Sequence, residues 1–354
     1  MMTAFWTEPD FDDHELVEVI RDRAFGLTAI IAIHSTHLGP AGGGARFWHY
    51  AEPADAMRDA LRLSRGMSYK NAMAGLPAGG GKAVILADVA RSKTPEMLSA
   101  FGDAIEALGG RYVTAEDVGM AEADMAAIAE RTDHVSGLPV ENGSAGGDPG
   151  PFTAMGIYLG IKAAVAHRLG RDSMDGVHVA VQGVGSVGGG VSRLLARDGA
   201  RLTLADIDGP RVVALAEQLG AATVDPSRIM EVECDVFSPN ALGAILDDAG
   251  IARLNVPIVA GGANNQLARP EHGLALAGRG ILYAPDYVIN AGGIINVTLE
   301  YVARRNGEHC GVDEVHSRIA QIPGRLTRIW RESEESGLTP DMVADRMAQA
   351  SIGR

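Results

Sequence analysis

The chain has only two cysteines in 354 residues, Cys234 and Cys310. Two isolated thiols give no zinc-type spacing and no disulfide framework, which suits a reducing compartment. Aromatic residues are scarce at 5%. Long apolar runs are missing. A stretch such as Ala29–Ile33 is far too short to span a bilayer. Positive charge is in deficit, with 31 Lys and Arg against 45 Asp and Glu, a net charge of −14. That balance argues against nucleic acid or an anionic membrane as the main partner. The first fifteen residues are acidic and lack an apolar signal core. A cytoplasmic location is the expectation.

What is abundant is glycine, at 45 residues. One glycine run enters a lysine and an apolar stretch, Leu76–Asp88, read as LPAGGGKAVILAD. The apolar run Ala83–Ala87 suggests a buried strand with Lys82 at its mouth, after a glycine turn. A P-loop would place glycine at position 76 and Ser or Thr at 83, but Leu76 and Ala83 stand there. Lys82 is therefore not framed for nucleotide hydrolysis.

The preceding chain reads as a hairpin over residues 15–35, turning near Phe25 and Gly26. A second glycine cluster follows, Gly39 to Arg46. A helix opens at Pro53 and is expected to end about Arg65, with Lys70 just beyond it. Another helix starts at Thr94-Pro95 and stops at Gly109-Gly110. Arg111–Ala115 reads as a strand delivering Glu116 and Asp117 to its end. The segment 141–151 is rich in Gly, Asn, Asp and Pro and marks the expected domain boundary.

After a helix over Phe152–Leu169, the strand Val177–Gln182 runs into Gly183, Gly185 and Gly188, a GxGxxG array before an amphipathic helix. The next strand ends in Asp206, about 20 residues on, where a dinucleotide site hydrogen-bonds a ribose hydroxyl. The glycines admit a pyrophosphate to the helix amino end. A carboxylate at 206 would repel the 2′-phosphate of NADP, which favours NAD. Further strands are expected at Val232–Phe237, Val256–Ala260 and Ile281–Ala284. Helices are expected at Gly292–Arg304, 311–335 and 340–350. Asn240, Asn265 and Asn290 follow these strand ends, where ligands bind in open parallel sheets, although turns and helix caps explain such asparagines too.

The fold expected is thus α/β with two domains. Residues 1–148 form an α/β substrate-binding and catalytic domain. Residues 149–325 form a doubly wound, Rossmann-type dinucleotide domain, with a cleft between the two. The terminal segment, about 326–354, is expected to pack back on the first domain. Lys70, Lys82 and Asp117 suit a substrate with a carboxylate next to a carbon bearing an amine. Two lysines and partial burial depress proton affinity, so one amine can act as a base while the other holds an anion. Asp117 can hold or deprotonate the substrate amine. A 2-hydroxy-acid dehydrogenase would instead need a His–carboxylate pair. His34 and His37 differ by an odd step, and on a strand they point to opposite faces. A serine hydrolase lacks its G-x-S-x-G elbow near Ser144 or Ser186. A non-catalytic dinucleotide sensor would predict loss of Lys70, Lys82 or Asp117, and all three are present.

These residues carry a resemblance. From GPAGGGARF through YKNAMAGLPAGGGKAVI, TAEDVG, PFTAMG, QGVGSVG, FSPNALGAIL and GGANNQLA to PDYVINAGG, the chain resembles the glutamate/leucine/phenylalanine/valine dehydrogenases. The last position of the glycine-lysine signature, usually Pro or Leu, is Val89. The resemblance implies reversible NAD(P)-dependent oxidative deamination of an L-amino acid to a 2-oxo acid and ammonia. It implies Lys82 as general base through a water attacking the imine, Lys70 on the substrate carboxylate, and Asp117 on the amino group. It places Gly43 and Gly44 along the substrate and Thr153 near the nicotinamide carboxamide. Asn240 and Ala241 pass the nicotinamide ribose. Asn265 and Asn290 stand at the cofactor–substrate boundary, with Asn265 touching both. Gly183, Gly185, Ser186, Val187, Gly188 and Asp206 complete the NAD contacts, and no metal is implied. Glutamate-specific members carry a lysine where Gly42 stands, and burying a second carboxylate without it is costly. Branched-chain members carry a bulkier apolar residue there. Gly42, with Ala115, Ile294 and Val297, implies an apolar side chain with room for an aromatic ring. Members assemble as dimers to octamers, so a homo-oligomer is expected.

Overall fold

The computed structural model describes residues 4–87, 93–140 and 143–354. Asp88, Val89 and residues 141–142 of the expected boundary lie outside them. The chain divides into two compact units. One comprises Met1–Asp148, Ile294–Val315 and Ala348–Arg354; the other comprises Pro149–Gly293 and His316–Met347.

The first unit is built on a six-stranded mixed sheet. Its hairpin pairs β1 (Leu16–Asp22) with β2 (Leu27–Ser35), antiparallel, through a turn in which Gly26 has φ +71°. Then come β3 (Ala41–Gly42), β4 (Ala45–Trp48), α1 (Pro53–Ala74), β5 (Gly79–Leu86), α2 (Pro95–Ala107), β6 (Tyr112–Val113) and α3 (Glu122–Ala129). The sheet order is β1-β2-β5-β3-β6, with β4 also pairing β5. β5 is buried from Gly79 to Ile85. Strand alternation sends its side chains to two faces. Val84 joins Ile30, Ala32 and Leu61 under α1. Ala83 and Ile85 join Ile31, Phe101, Ile105 and Met125 under α2 and α3.

Two expectations change here. The glycine run is not a turn before the strand but its first three residues, so Lys82 lies within β5 rather than at its mouth. The cause is crowding. A Cβ on Gly79 would stand 1.9 Å from Ser35 O, on Gly80 2.0 Å from Ser68 N, and on Gly81 2.7 Å from the Tyr112 ring. No larger residue fits between these neighbours. Also, α1 continues to Ala74, so Lys70 lies on the helix. Nothing breaks it before Gly75, which caps it in the left-handed region at φ +67°.

The second unit is a parallel sheet between helices. Its elements are α4 (Gly150–Leu169), β7 (His178–Gln182), α5 (Ser186–Arg197), β8 (Arg201–Ala205), α6 (Gly209–Leu219), β9 (Ala222–Thr223), β10 (Val236–Pro239), α7 (Asp248–Arg253), β11 (Ile258–Val259), α8 (Glu271–Gly278), β12 (Leu282–Tyr283) and α9 (Asp286–Ile289). The order is β12-β11-β10-β7-β8-β9, with every pairing parallel. The chain reverses direction across the sheet between β7 and β10, the switch point at which such sheets bind ligands.

Four helices close the chain: α10 (Gly292–Asn306), α11 (Val312–Ile319), α12 (Ile322–Ser336) and α13 (Pro340–Ser351). The single helical stretch expected over 311–335 is two helices, with Pro323 opening the second. Of the segment 326–354, only Ala348–Arg354 joins the first unit. Residues 326–347 stay with the second because α12 packs there. Trp330 is buried and donates its indole N–H to Tyr283 O at 3.0 Å. Gly160 of α4 lets Leu326 approach. No described helix is long and apolar enough to cross a membrane.

Candidate functional site

In the first unit, Lys82 is 4% exposed and its Nζ lies 3.0 Å from Asp117 Oδ1. The chain can bring these groups together because the neighbouring backbone carries no side chains. A Cβ on Gly44 would stand 2.9 Å from Asp117 Cβ, and one on Gly43 would meet Gly81 O at 1.8 Å. Tyr112 fixes that segment by donating its hydroxyl to Gly43 O at 2.6 Å. Burial lowers the Lys82 pKa from the ordinary lysine value; the Asp117 charge opposes this and the Arg46 charge adds to it. Burial pushes the Asp117 carboxyl up, but the charges of Lys82 and Arg46 outweigh it and hold it below the usual value.

Arg46 is the residue that sequence reasoning passed over. Its Nε donates to Asp117 Oδ2 at 2.8 Å and its Nη1 to Asp59 Oδ2 at 2.9 Å. Asp59 also accepts from Tyr50 Oη at 2.7 Å and Arg62 Nη2 at 3.0 Å. Asp117 thus lies between two cations, one on each oxygen. The available signal was local: Arg46 closes the glycine cluster, two residues after Gly44, on the strand that pairs β5 in register Arg46↔Val84. Its side chain therefore shares the α1 face of the sheet with Lys82. Asn71 was passed over too. Fully buried on α1, it donates to Gly79 O at 2.6 Å and to Gly42 O at 3.4 Å.

Lys70 is half-buried on α1, one residue before Asn71. Gly42, Gly43 and Ile294 line one cavity of about 410 Å³. Ala115 and Val297 are buried in the same unit but do not line it.

In the second unit, Gly183 ends β7 with φ +82°, and a Cβ there would stand 2.9 Å from Ala241 Cβ. A Cβ on Gly188 would stand 1.9 Å from Gly183 O. Gly185 caps α5, and Ser186, Val187 and Gly188 form its first turn, with Gly185 and Ser186 exposed. Asp206 Oδ2 accepts Val184 N–H at 2.7 Å, tying the end of β8 to the glycine loop. Asn240 accepts Gly262 N–H at 2.9 Å. Asn290 donates to Gly262 O at 3.1 Å and to Asn264 Oδ1 at 2.9 Å, while its own Oδ1 is buried without a partner. Asn265 is exposed in the left-handed region at φ +51°, a conformation asparagine tolerates better than most residues. Thr153 donates its hydroxyl to Pro149 O at 3.0 Å, and a Cβ on Gly293 would meet its Oγ1 at 2.5 Å. These residues converge on the switch point between β7 and β10.

The donor set fits a nicotinamide dinucleotide. The glycine loop opens on a helix amino end, which favours a pyrophosphate. A carboxylate just past the second strand of the motif, as Asp206 is, suits a ribose hydroxyl donor. The orphaned Asn290 oxygen is an acceptor awaiting an amide or hydroxyl donor. Among the described residues no His, Cys, Asp or Glu cluster is arranged to hold a metal ion.

Comparison with known proteins agrees. Residues 16–134 match Glu/Leu/Phe/Val dehydrogenase, dimerisation domain, and residues 208–352 match Glutamate/Leucine/Phenylalanine/Valine dehydrogenase. Leucine dehydrogenase of Geobacillus stearothermophilus is 46% identical over 96% of this chain and 91% of its own length. Valine dehydrogenase of Streptomyces albus is 44% identical over 96% and 92%. The crystal structure of L-tryptophan dehydrogenase from Nostoc punctiforme has a TM-score of 0.82 at 40% identity, covering 96% of both chains.

Proposed function

This chain belongs to the Glu/Leu/Phe/Val dehydrogenase family and is an NAD-dependent amino acid dehydrogenase; we propose that Lys82, Asp117 and Lys70 carry its reaction on an apolar L-amino acid. The observation that carries this reading is the buried Lys82 amine 3.0 Å from the partly exposed Asp117 carboxylate, framed by glycine backbone.

NAD, when bound, accepts the hydride from the substrate α-carbon. Lys70 holds the substrate carboxylate. Asp117, held ionised by two cations, takes a proton from the substrate ammonium, so that the amine lone pair can drive hydride departure. Lys82, its proton affinity lowered by burial, takes a proton from the water that adds to the resulting imine. That proton returns to nitrogen as ammonia leaves. Amino acid, NAD⁺ and water give the 2-oxo acid, ammonium, NADH and a proton.

The side chain follows from Gly42. It carries no charge for a second substrate carboxylate and leaves the neighbouring cavity open. The relatives named for leucine, valine and tryptophan support an apolar substrate, aliphatic or aromatic. A homo-oligomer in the cytoplasm is also proposed. It is supported by the match to a dimerisation domain over residues 16–134 and by the sparse cysteines. Light scattering of the purified protein tests the oligomer, and a single-chain mass overturns it.

The test of the site is Lys82→Ala. Turnover, followed as NADH absorbance with NAD and a panel of apolar L-amino acids, should fall by at least about 10³-fold. NAD affinity should stay within about twofold, because Lys82 belongs to the other unit. Loss of NAD binding, or retained turnover, refutes the assignment.

A further inference from the structure

The cavity that begins at Gly42 and Gly43 does not end at an apolar wall. It follows one face of α10, from Ile294 through Thr298 to Tyr301, and its far side holds His134. Ile294 and Tyr301 are seven residues apart, about 10 Å along a helix. Long helical side chains lean toward the amino end, so the Tyr301 ring points back toward Ile294. At this far end Tyr301 and His134 are 8% and 9% exposed, and Tyr301 Oη lies 3.2 Å from His134 Nδ1.

The polarity of this pair follows from its neighbours. His134 Nε2 faces the Glu106 carboxylate at 3.9 Å, which favours the tautomer with its proton on Nε2. Nδ1 is then an acceptor and receives a hydrogen bond from the Tyr301 hydroxyl. The Tyr301 oxygen keeps its lone pairs for a second donor. Burial lowers the His134 pKa and raises that of Tyr301, so both are neutral near pH 7. Arg305 also lines this end, but its charge is already answered by Asp133 at 3.6 Å. An acidic side chain finds no unmatched cation there.

Resting on the dehydrogenase reading above, we propose that Tyr301, oriented by His134, reads a hydrogen-bond donor on the substrate's ring. The favoured substrates are then aromatic amino acids bearing a ring N–H or O–H, tryptophan or tyrosine. Phenylalanine fills the same space but leaves the Tyr301 oxygen without its donor. A branched aliphatic side chain stops short of it. The cavity is open enough for water to serve as a substitute, so discrimination against phenylalanine is modest, about tenfold in kcat/KM.

The experiment compares kcat/KM for leucine, valine, phenylalanine, tyrosine and tryptophan on the full chain with NAD. The native enzyme should prefer tryptophan, tyrosine or both over phenylalanine by about tenfold. In Tyr301→Phe the ratio should fall to about one, mainly through KM, because the hydrogen bond is made equally in ground and transition states. Gly42→Leu should reverse the order toward leucine and valine. A Cβ at 42 meets only Asn71 Nδ2 at 3.6 Å and Ala78 Cβ at 3.8 Å, so the side chain is accommodated. Native turnover of leucine or phenylalanine equal to or above that of tryptophan and tyrosine overturns this inference and leaves the dehydrogenase reading standing. No turnover with any of the five overturns the broader reading. The native comparison needs no variant, so misfolding of Tyr301→Phe does not remove the test.

Discussion

Replacing Arg46 by glutamine should move the pH dependence of the reaction, and the direction follows from the geometry. Arg46 and Lys82 bind opposite oxygens of Asp117, at 2.8 and 3.0 Å. Two cations so placed stand about 5 Å apart, and at an effective dielectric constant near 20 they repel by about 3 kcal/mol. The Arg46 and Asp117 side chains are 22% and 23% exposed, so water screens part of this. About half, near 1.4 kcal/mol, corresponds to roughly one pKa unit. With Arg46 gone, repulsion of the Lys82 ammonium is removed and Asp117 faces Lys82 alone. Both changes favour the protonated amine, so the Lys82 pKa rises.

In the mechanism proposed above, the base form of Lys82 is the active one in oxidative deamination. The acid limb of kcat/KM should therefore shift up by about one pH unit. On that limb the variant should be about tenfold slower than native, and well above it the two should converge. The substrate amine titrates identically in both enzymes, so the difference between the profiles isolates the protein group. Arg46→Lys keeps the charge but not the two-pronged geometry, so its limb should stay near the native position even if its rate falls. An unmoved limb in Arg46→Gln, or loss by the same factor at every pH, would show that Arg46 only holds α1 to the sheet.

Gly80→Ala should destabilise the first unit by about 3 kcal/mol, lowering the thermal midpoint by roughly 5–10 °C, because its Cβ would stand 2.0 Å from Ser68 N. Gly66→Ala is the matched control. It lies inside α1 with nothing within 4 Å of the added Cβ and should stabilise by about 0.5–1 kcal/mol; calorimetry showing both variants equally unstable would refute the crowding argument. Asp206→Asn keeps an acceptor for Val184 N–H but removes the charge. The ratio of kcat/KM with NADP to that with NAD should rise by about tenfold, and an unchanged ratio would mean that Asp206 does not face the ribose.

The second unit was the more legible in the sequence because its signals are local. A strand, three glycines, a helix and an acid stand within thirty residues, and each has one physical job. The strand β9 was harder, since its two exposed residues carry neither alternation nor an apolar run, whereas β11 and β12, equally short, lie inside the apolar runs 256–260 and 281–284. In the first unit the elements were legible but their joints were not. Residues 79–81 look like a turn because glycine is a poor strand former, and only the approach of Ser35, Ser68 and Tyr112 makes them a strand. Arg46 escaped notice because its partner Asp117 is 71 residues away, a distance that no local pattern spans.

The glycine strand and the altered lysine are one design seen from two sides. A lysine buried among apolar groups is unfavourable unless its charge is answered or given up. Here Asp117 answers part of it, while Arg46 competes for the same carboxylate and keeps that answer incomplete. The glycines before Lys82 and at 43 and 44 let backbone, α1 and Asp117 close around it, leaving Lys82 4% exposed. Larger residues in those places would force the layers apart, admit water and return the amine toward its ordinary proton affinity. The triple glycine therefore acts on the chemistry through packing. Its substitution by alanine should raise the pH at which the enzyme works as well as lower its stability.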